Sequence, residues 1–135
     1  TGIMASAIAS GLEDEGVPVR IIDIQKNHHS DVMTELADCG AVIVGSATHN
    51  NNVLPGIADV LTYMKGLRPL NRVGAAFGSY GWSGESPKII QEWLASMNMD
   101  MPADPVKCLF VPKHEGLSQC VALGKTVAEA LKAKC

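Results

Sequence analysis

The sequence predicts a single α/β domain built on a doubly wound parallel sheet, and two observations support this prediction. Helical patterns of apolar residues alternate along the chain with short, uninterrupted apolar runs. Such runs are typical of parallel strands that are buried on both faces. The 135 residues, 47% of them hydrophobic, are enough for one sizeable core. We therefore expect four strands and five helices, joined by right-handed crossovers.

The chain opens with a predicted helix and a predicted strand. Apolar residues beginning with Ile3 recur at three- and four-residue spacing, and Gly16 ends this first helix. The β-branched run at residues 17–24, with a proline at its start, predicts a strand. A doubly wound domain normally begins with a strand rather than a helix, so we expect a strand upstream of Thr1 to be missing from the sheet.

A short helix and a buried strand are predicted next. Ser30 with Asp31 predicts the cap of the helix, and the polar stretch containing His28 and His29 predicts a solvated turn. The apolar run at residues 41–45 predicts the buried strand. The polar sequence that follows it is expected to form a loop.

The same alternation repeats to the end of the chain. A third helix is predicted to end at Gly66, and a strand to follow at residues 73–79. The pair Ser86-Pro87 opens a fourth helix in the favoured order of cap then proline. Residues 106–111 predict the last strand and residues 118–134 the last helix.

Composition argues against several classes of function. The net charge is −3 with both signs scattered, so no basic block marks a nucleic-acid surface. No apolar run approaches the roughly 20 residues that span a bilayer, and the first residues lack a signal-peptide pattern. The spacing of Cys39, Cys108, Cys120 and Cys135 fits no metal motif, so we expect apolar thiols. Methionines 97, 99 and 101 are interpreted as packing residues. We expect a cytoplasmic protein without a metal site in this chain.

Two loops that follow predicted strands contain the candidate ligand-binding residues. One is rich in hydroxyl and amide groups, at residues 46–52, and the other interleaves glycines with Tyr80 and Trp82. Ligands of open parallel sheets bind beyond the carboxyl ends of the strands, where glycine permits close approach and an aromatic ring can stack. Either loop alone could be an ordinary surface connection. Together they favour a planar, polar-rimmed ligand, and a flavin fits better than a nicotinamide dinucleotide because no GxGxxG follows a strand.

At these loops the sequence resembles a known family. The segments at residues 45–51, 63–69 and 76–85 resemble the flavodoxin-like domain of flavodiiron proteins, also called A-type flavoproteins. The resemblance runs over essentially the whole chain and implies a flavodoxin-like fold with strand order 2-1-3-4-5 and the first strand missing. In flavodoxin-like folds, FMN binds at the point where the strand order reverses.

The resemblance also implies which residues bind FMN. Thr1 and Gly2 match the end of the family's phosphate-binding loop, at a helix N-terminus where an anion is favoured. The ring and ribityl chain would lie between two groups of residues, with Tyr80 or Trp82 stacked on the ring. These groups are Ser46, Ala47, Thr48, His49, Asn50 and Asn51 on one edge and Ser79, Tyr80, Gly81, Trp82, Ser83 and Gly84 on the other. No residue of the chain is expected to be catalytic by itself.

By the same resemblance, the domain would pass electrons from a rubredoxin-like donor to a diiron site that reduces oxygen or nitric oxide. The four histidines are scattered without a ligand cluster, so we expect the iron in an upstream domain. The resemblance alone implies a homodimer, in which the flavin of one subunit faces the iron of its partner. Three alternatives remain: a stand-alone flavodoxin, a flavin-dependent quinone reductase, and a cofactor-free interaction module of the receiver type. The last is the weakest, because Gly45-Ser46 stands where a receiver needs aspartate.

Overall fold

The computed structural model describes residues 2–23, 29–36, 40–47, 55–67, 73–80, 85–97, 99–109 and 114–134. Within them, helices and parallel strands alternate as the sequence predicts. The elements are α1 (Gly2–Asp14), α2 (His29–Leu36), β1 (Ala41–Ala47), α3 (Pro55–Leu67), β2 (Val73–Tyr80), α4 (Glu85–Ser96), β3 (Val106–Leu109) and α5 (His114–Lys134). No helix in the described part of the chain has the length and apolarity needed to cross a bilayer.

The sheet has the parallel order β1-β2-β3. This order matches the last three strands of the predicted 2-1-3-4-5 arrangement, and the predicted α/β fold class is confirmed. Strand β2 pairs with both neighbours, from Ala41 opposite Val73 to Tyr80 opposite Leu109. On its other side, β1 has no strand beside it among the described residues.

The core is divided into two clusters by the sheet, as expected for helices on both faces. One cluster joins α1, β2 and α5, and the other joins β1, β2, α3 and α4. Successive residues of a strand point to opposite faces, so Ala75 belongs to the first cluster and Ala76 to the second. The first contains Met4, Ile8, Leu12, Val73, Ala75, Phe77, Cys120, Leu123, Val127 and Ala128, and the second Val44, Val60, Leu61, Met64, Ala76, Ile90, Leu94, Met97 and Met99.

The prediction of a strand at residues 17–24 is wrong for the residues that the structure describes. Residues 17–23 have no regular secondary structure, although Val17 and Val19 pack against the first cluster. The β-branched run has the propensity for a strand, but a strand also needs a neighbour that completes its hydrogen bonds. No described strand lies beside this segment.

Several predicted boundaries also differ. Helix α2 includes His29 and Ser30, so the cap prediction is one to two residues too late and His29 is not in a turn. Helix α3 continues through Gly66, where nothing crowds the backbone, and α5 begins at His114 rather than at residue 118. Ile3, predicted to face inward, is 56% exposed because the buried stripe begins one position later, at Met4.

The packing roles predicted for methionine and cysteine are confirmed where the structure describes the side chains. Met97 and Met99 are buried in the second cluster, and Met101 packs against it. Cys120 is fully buried in the first cluster as a free thiol. Cys39 and Cys135 lie outside the described residues.

Candidate functional site at the carboxyl edge of the sheet

The two polar loops begin side by side, because the strands that precede them end in register. Ala47 at the end of β1 lies opposite Ser79 of β2, and Ser46 lies opposite Gly78. Adjacent strands are about 4.8 Å apart, so a ligand of flavin size can touch both strand ends. The residues at these four positions are small in the sequence. Ser46 is 1% exposed, as the only buried polar side chain among the residues that the structure describes.

The direction of α1 follows from its contacts with α5. Gly11 lies beside Val121, and directly after the end of α1 the Glu15 Oε2 lies 3.2 Å from the Nζ of Lys132, further along α5. Contacts that advance together along both helices mean that α1 and α5 run in the same direction. Leu131 reaches Gly40, directly before β1, so the C-terminal ends of both helices lie at the amino end of that strand.

The N-terminus of α1 therefore lies at the opposite, carboxyl edge of the sheet, near the ends of β1 and β2. A helix of 13 residues is about 20 Å long, comparable with a seven-residue strand of about 23 Å. The first turn of α1 carries no acidic side chain. The backbone N–H groups at a helix N-terminus have no partner within the helix, and together with the helix dipole they favour an anion such as a phosphate.

Five of the predicted site residues are described, and the structure places all five at this edge. They are Gly2 at the start of α1, Ser46 and Ala47 at the end of β1, and Ser79 and Tyr80 at the end of β2. The other predicted site residues lie outside the described residues. These are Thr1, Thr48, His49, Asn50, Asn51, Gly81, Trp82, Ser83 and Gly84.

Sequence reasoning missed one pair of residues just below the edge. A Cβ built on Gly45 would lie 2.1–2.5 Å from three ring atoms of Phe77, its register partner on β2. The phenyl ring thus occupies the space where any side chain at position 45 would begin. A glycine inside an otherwise apolar strand is the signal that could have indicated such a close approach.

Metal binding has no support within the described ranges. They contain no group of three or more His, Cys, Asp or Glu side chains that could hold an ion. The arrangement instead offers a cofactor a helix N-terminus, two adjacent strand ends and the starts of two loops.

Comparison with known proteins agrees with this geometry. The family model described as flavodoxin matches residues 1–124. The rubredoxin-oxygen oxidoreductase of Megalodesulfovibrio gigas is 53% identical over 131 residues, which are 97% of this chain and 33% of that protein. The nitric oxide reductase of Moorella thermoacetica is 40% identical over 126 residues, 93% of this chain and 32% of its own length. The chain thus spans about a third of the length of each of these two relatives.

Solved structures give the same result. The rubredoxin oxygen:oxidoreductase from Desulfovibrio gigas superposes with a TM-score of 0.97 at 52% identity, over 99% of this chain and 33% of that one. The flavodiiron protein from Giardia intestinalis superposes with a TM-score of 0.92 at 28% identity, over 100% of this chain and 34% of that one. The resemblance inferred from the loop sequences is confirmed. The chain belongs to the flavodoxin family, as a flavodoxin-like domain homologous to those of flavodiiron proteins.

Proposed function

We propose that residues 1–135 form one FMN-binding domain that relays electrons from a rubredoxin-like donor to a diiron site that reduces oxygen or nitric oxide. The main observation is that the α1 N-terminus and the in-register ends of β1 and β2 lie at the same edge of the sheet. Membership of the family implies FMN as the cofactor. Its phosphate and its ring then need separate contacts, and this edge offers both.

The start of α1 binds the phosphate of FMN in this proposal. The Thr1 hydroxyl and the Gly2 backbone N–H donate hydrogen bonds to the phosphate, and the N-terminal partial charge of the helix attracts it. A first turn without acidic residues fits this role, because a carboxylate there would repel a doubly charged phosphate. This contact fixes one end of the cofactor.

The two loops bind the flavin ring in this proposal. Residues 46–51 line one edge of the ring and residues 79–84 the other, with Tyr80 or Trp82 stacked on its face. Bound FMN supplies the redox chemistry, since it exchanges electrons one or two at a time. The protein residues orient the ring, exclude water from one face and hydrogen-bond its polar atoms.

The diiron site belongs to a part of the protein outside these residues. This fits a chain that spans about a third of relatives described as an oxygen oxidoreductase and a nitric oxide reductase. The proposal includes a homodimer, in which the flavin of one subunit faces the iron of the other. It works in the cytoplasm, where a rubredoxin-like donor can reach it.

The test uses the full natural protein that contains this sequence. Flavin released from the purified protein is identified by chromatography, and its reduction by reduced rubredoxin is followed by stopped-flow absorbance. Consumption of oxygen and of nitric oxide is then measured on the same sample before and after iron removal. The expected result is FMN that bleaches rapidly in both samples, with gas consumption only in the iron-containing one.

Three outcomes would contradict this function. A purified protein that neither contains nor takes up FMN would exclude the flavin role. Rapid gas consumption without iron would exclude a pure electron carrier. Efficient direct reduction by a nicotinamide nucleotide would favour a stand-alone reductase, such as one for quinones.

A further inference from the structure

The first core cluster is layered in a way that relates α1 to β2. The buried stripe of α1 has four-residue spacing, and the β2 residues of the same cluster have two-residue spacing. Four helical residues rise about 6 Å and two strand residues about 6.6 Å, so the layers stay level along the core. Because α1 runs against β2, Met4 and Phe77 are the α1 and β2 members of the layer nearest the carboxyl edge.

Phe77 extends this last layer from β2 across to β1. Its ring lies over Gly45, where a Cβ would be only 2.1–2.5 Å from three ring atoms. Gly45 is followed directly by Ser46 and Ala47 at the strand end. The ring is 5% exposed and Met4 is fully buried. One aromatic side chain at this edge therefore belongs to the same buried cluster as Met4 in the first turn of α1.

We propose that Phe77, seated over Gly45, is a positioning residue for the cofactor phosphate, because its ring sets the height of the first turn of α1 above the sheet. This inference rests on the proposed FMN function. Cores are close-packed, so a smaller or displaced side chain here lets the buried Met4 and its turn shift. The attraction of a helix N-terminus for an anion falls off within that one turn, so a small shift weakens it.

The test compares FMN with riboflavin, which carries the same ring but no phosphate. Both are titrated into the deflavinated full protein, and binding is followed by quenching of flavin fluorescence. Phe77→Leu removes the ring, and Gly45→Ala displaces it. We expect each substitution to weaken FMN binding by roughly five- to tenfold, the size of a partly lost helix-terminus contact with an anion. Riboflavin affinity should change by less than about twofold, since it makes no such contact.

Two controls separate positioning from general loss of stability. Leu94→Val alters the second cluster, near the far end of α4, and should leave the ratio of the FMN and riboflavin affinities unchanged. The double variant Gly45→Ala with Phe77→Leu should match Phe77→Leu alone, because leucine lacks the three outer ring atoms that a methyl group at position 45 would meet. Such non-additivity shows that the two residues are energetically coupled.

The outcomes distinguish this inference from the function on which it rests. A natural protein that binds neither flavin contradicts the proposed function itself. If the natural protein prefers FMN over riboflavin and both variants keep the same preference, only the proposed role of Phe77 is overturned. Equal losses of FMN and riboflavin affinity in both variants also overturn it, because they indicate a merely structural residue.

Discussion

Gly11 of α1 and Gly124 of α5 face each other's helix at a reciprocal close contact. A Cβ on Gly11 would lie 2.2 Å from the carbonyl oxygen of Val121, and a Cβ on Gly124 would lie 2.2 Å from the carbonyl oxygen of Ile8. The two backbones can approach this closely only because both positions lack a side chain. This crossing holds α1 closely against α5, and the common direction of the two helices places the α1 N-terminus at the carboxyl edge.

Gly124→Ala should destabilise the protein, because the added methyl group meets backbone atoms that cannot rotate away. We expect the free energy of unfolding to fall by about 1–3 kcal/mol, the range typical of overpacking. Urea denaturation followed by circular dichroism measures this change. The matched control is Gly66→Ala in α3, where nothing lies within 4 Å of the new Cβ.

The control should change stability in the opposite direction. Alanine is the better helix former by about 1 kcal/mol, so Gly66→Ala should leave the protein as stable or slightly more so. Equal stability of the two variants would contradict the close helix crossing.

Gly16 ends α1 in a backbone conformation that disfavours other residues. Its φ is 81°, its N–H donates to the Glu13 carbonyl at 2.9 Å, and the Val17 N–H donates to the Leu12 carbonyl at 3.0 Å. This is a Schellman cap. We expect Gly16→Ala to lower the free energy of unfolding by about 1 kcal/mol, and Gly16→Asn to lower it less, because asparagine tolerates this region better. Thermal unfolding of the two variants checks the order, and an unchanged midpoint for Gly16→Ala would refute it.

The proposed stacking on the flavin predicts an effect of one aromatic residue. Replacing the stacked residue, Tyr80 or Trp82, by alanine should weaken FMN binding by about 1 kcal/mol or more through the lost ring contact. Asn51→Ala should act more mildly, through a single polar contact. Fluorescence titration with FMN measures all three variants. If Tyr80→Ala and Trp82→Ala both keep the natural affinity, neither ring stacks on the flavin.

The sequence predicts local features of this fold better than pairwise ones. Helix α1 and strand β1 depend on residues near each other in the chain, and the sequence predicts both, apart from the exposed position of Ile3. Residues 17–23 were not, because their state depends on a distant strand partner. The contact of Gly11 with α5 was missed for a similar reason. A glycine in a helix does not identify the backbone that crosses it.

The same distinction holds for the site. Its position at the carboxyl edge follows from a general rule for parallel sheets, and the two loops were recognisable by their composition. The contact of Phe77 with Gly45 depends on the register of β1 against β2, which composition does not specify. The predicted FMN contacts of residues 1–2, 46–51 and 79–84 all stay predictions.

Hydrogen–deuterium exchange of the deflavinated protein with and without FMN tests the central claim most directly, because it locates the cofactor along the chain. We expect FMN to slow amide exchange at the start of α1, in peptides that contain Gly2, and at the strand ends in peptides that contain Ser46 and Tyr80. Peptides at the amino edge, which contain Ala41 or Val73, should exchange at the same rate with and without FMN. Slowed exchange at the amino edge alone, or unchanged exchange throughout at saturating FMN, would contradict a flavin site at the carboxyl edge of this sheet.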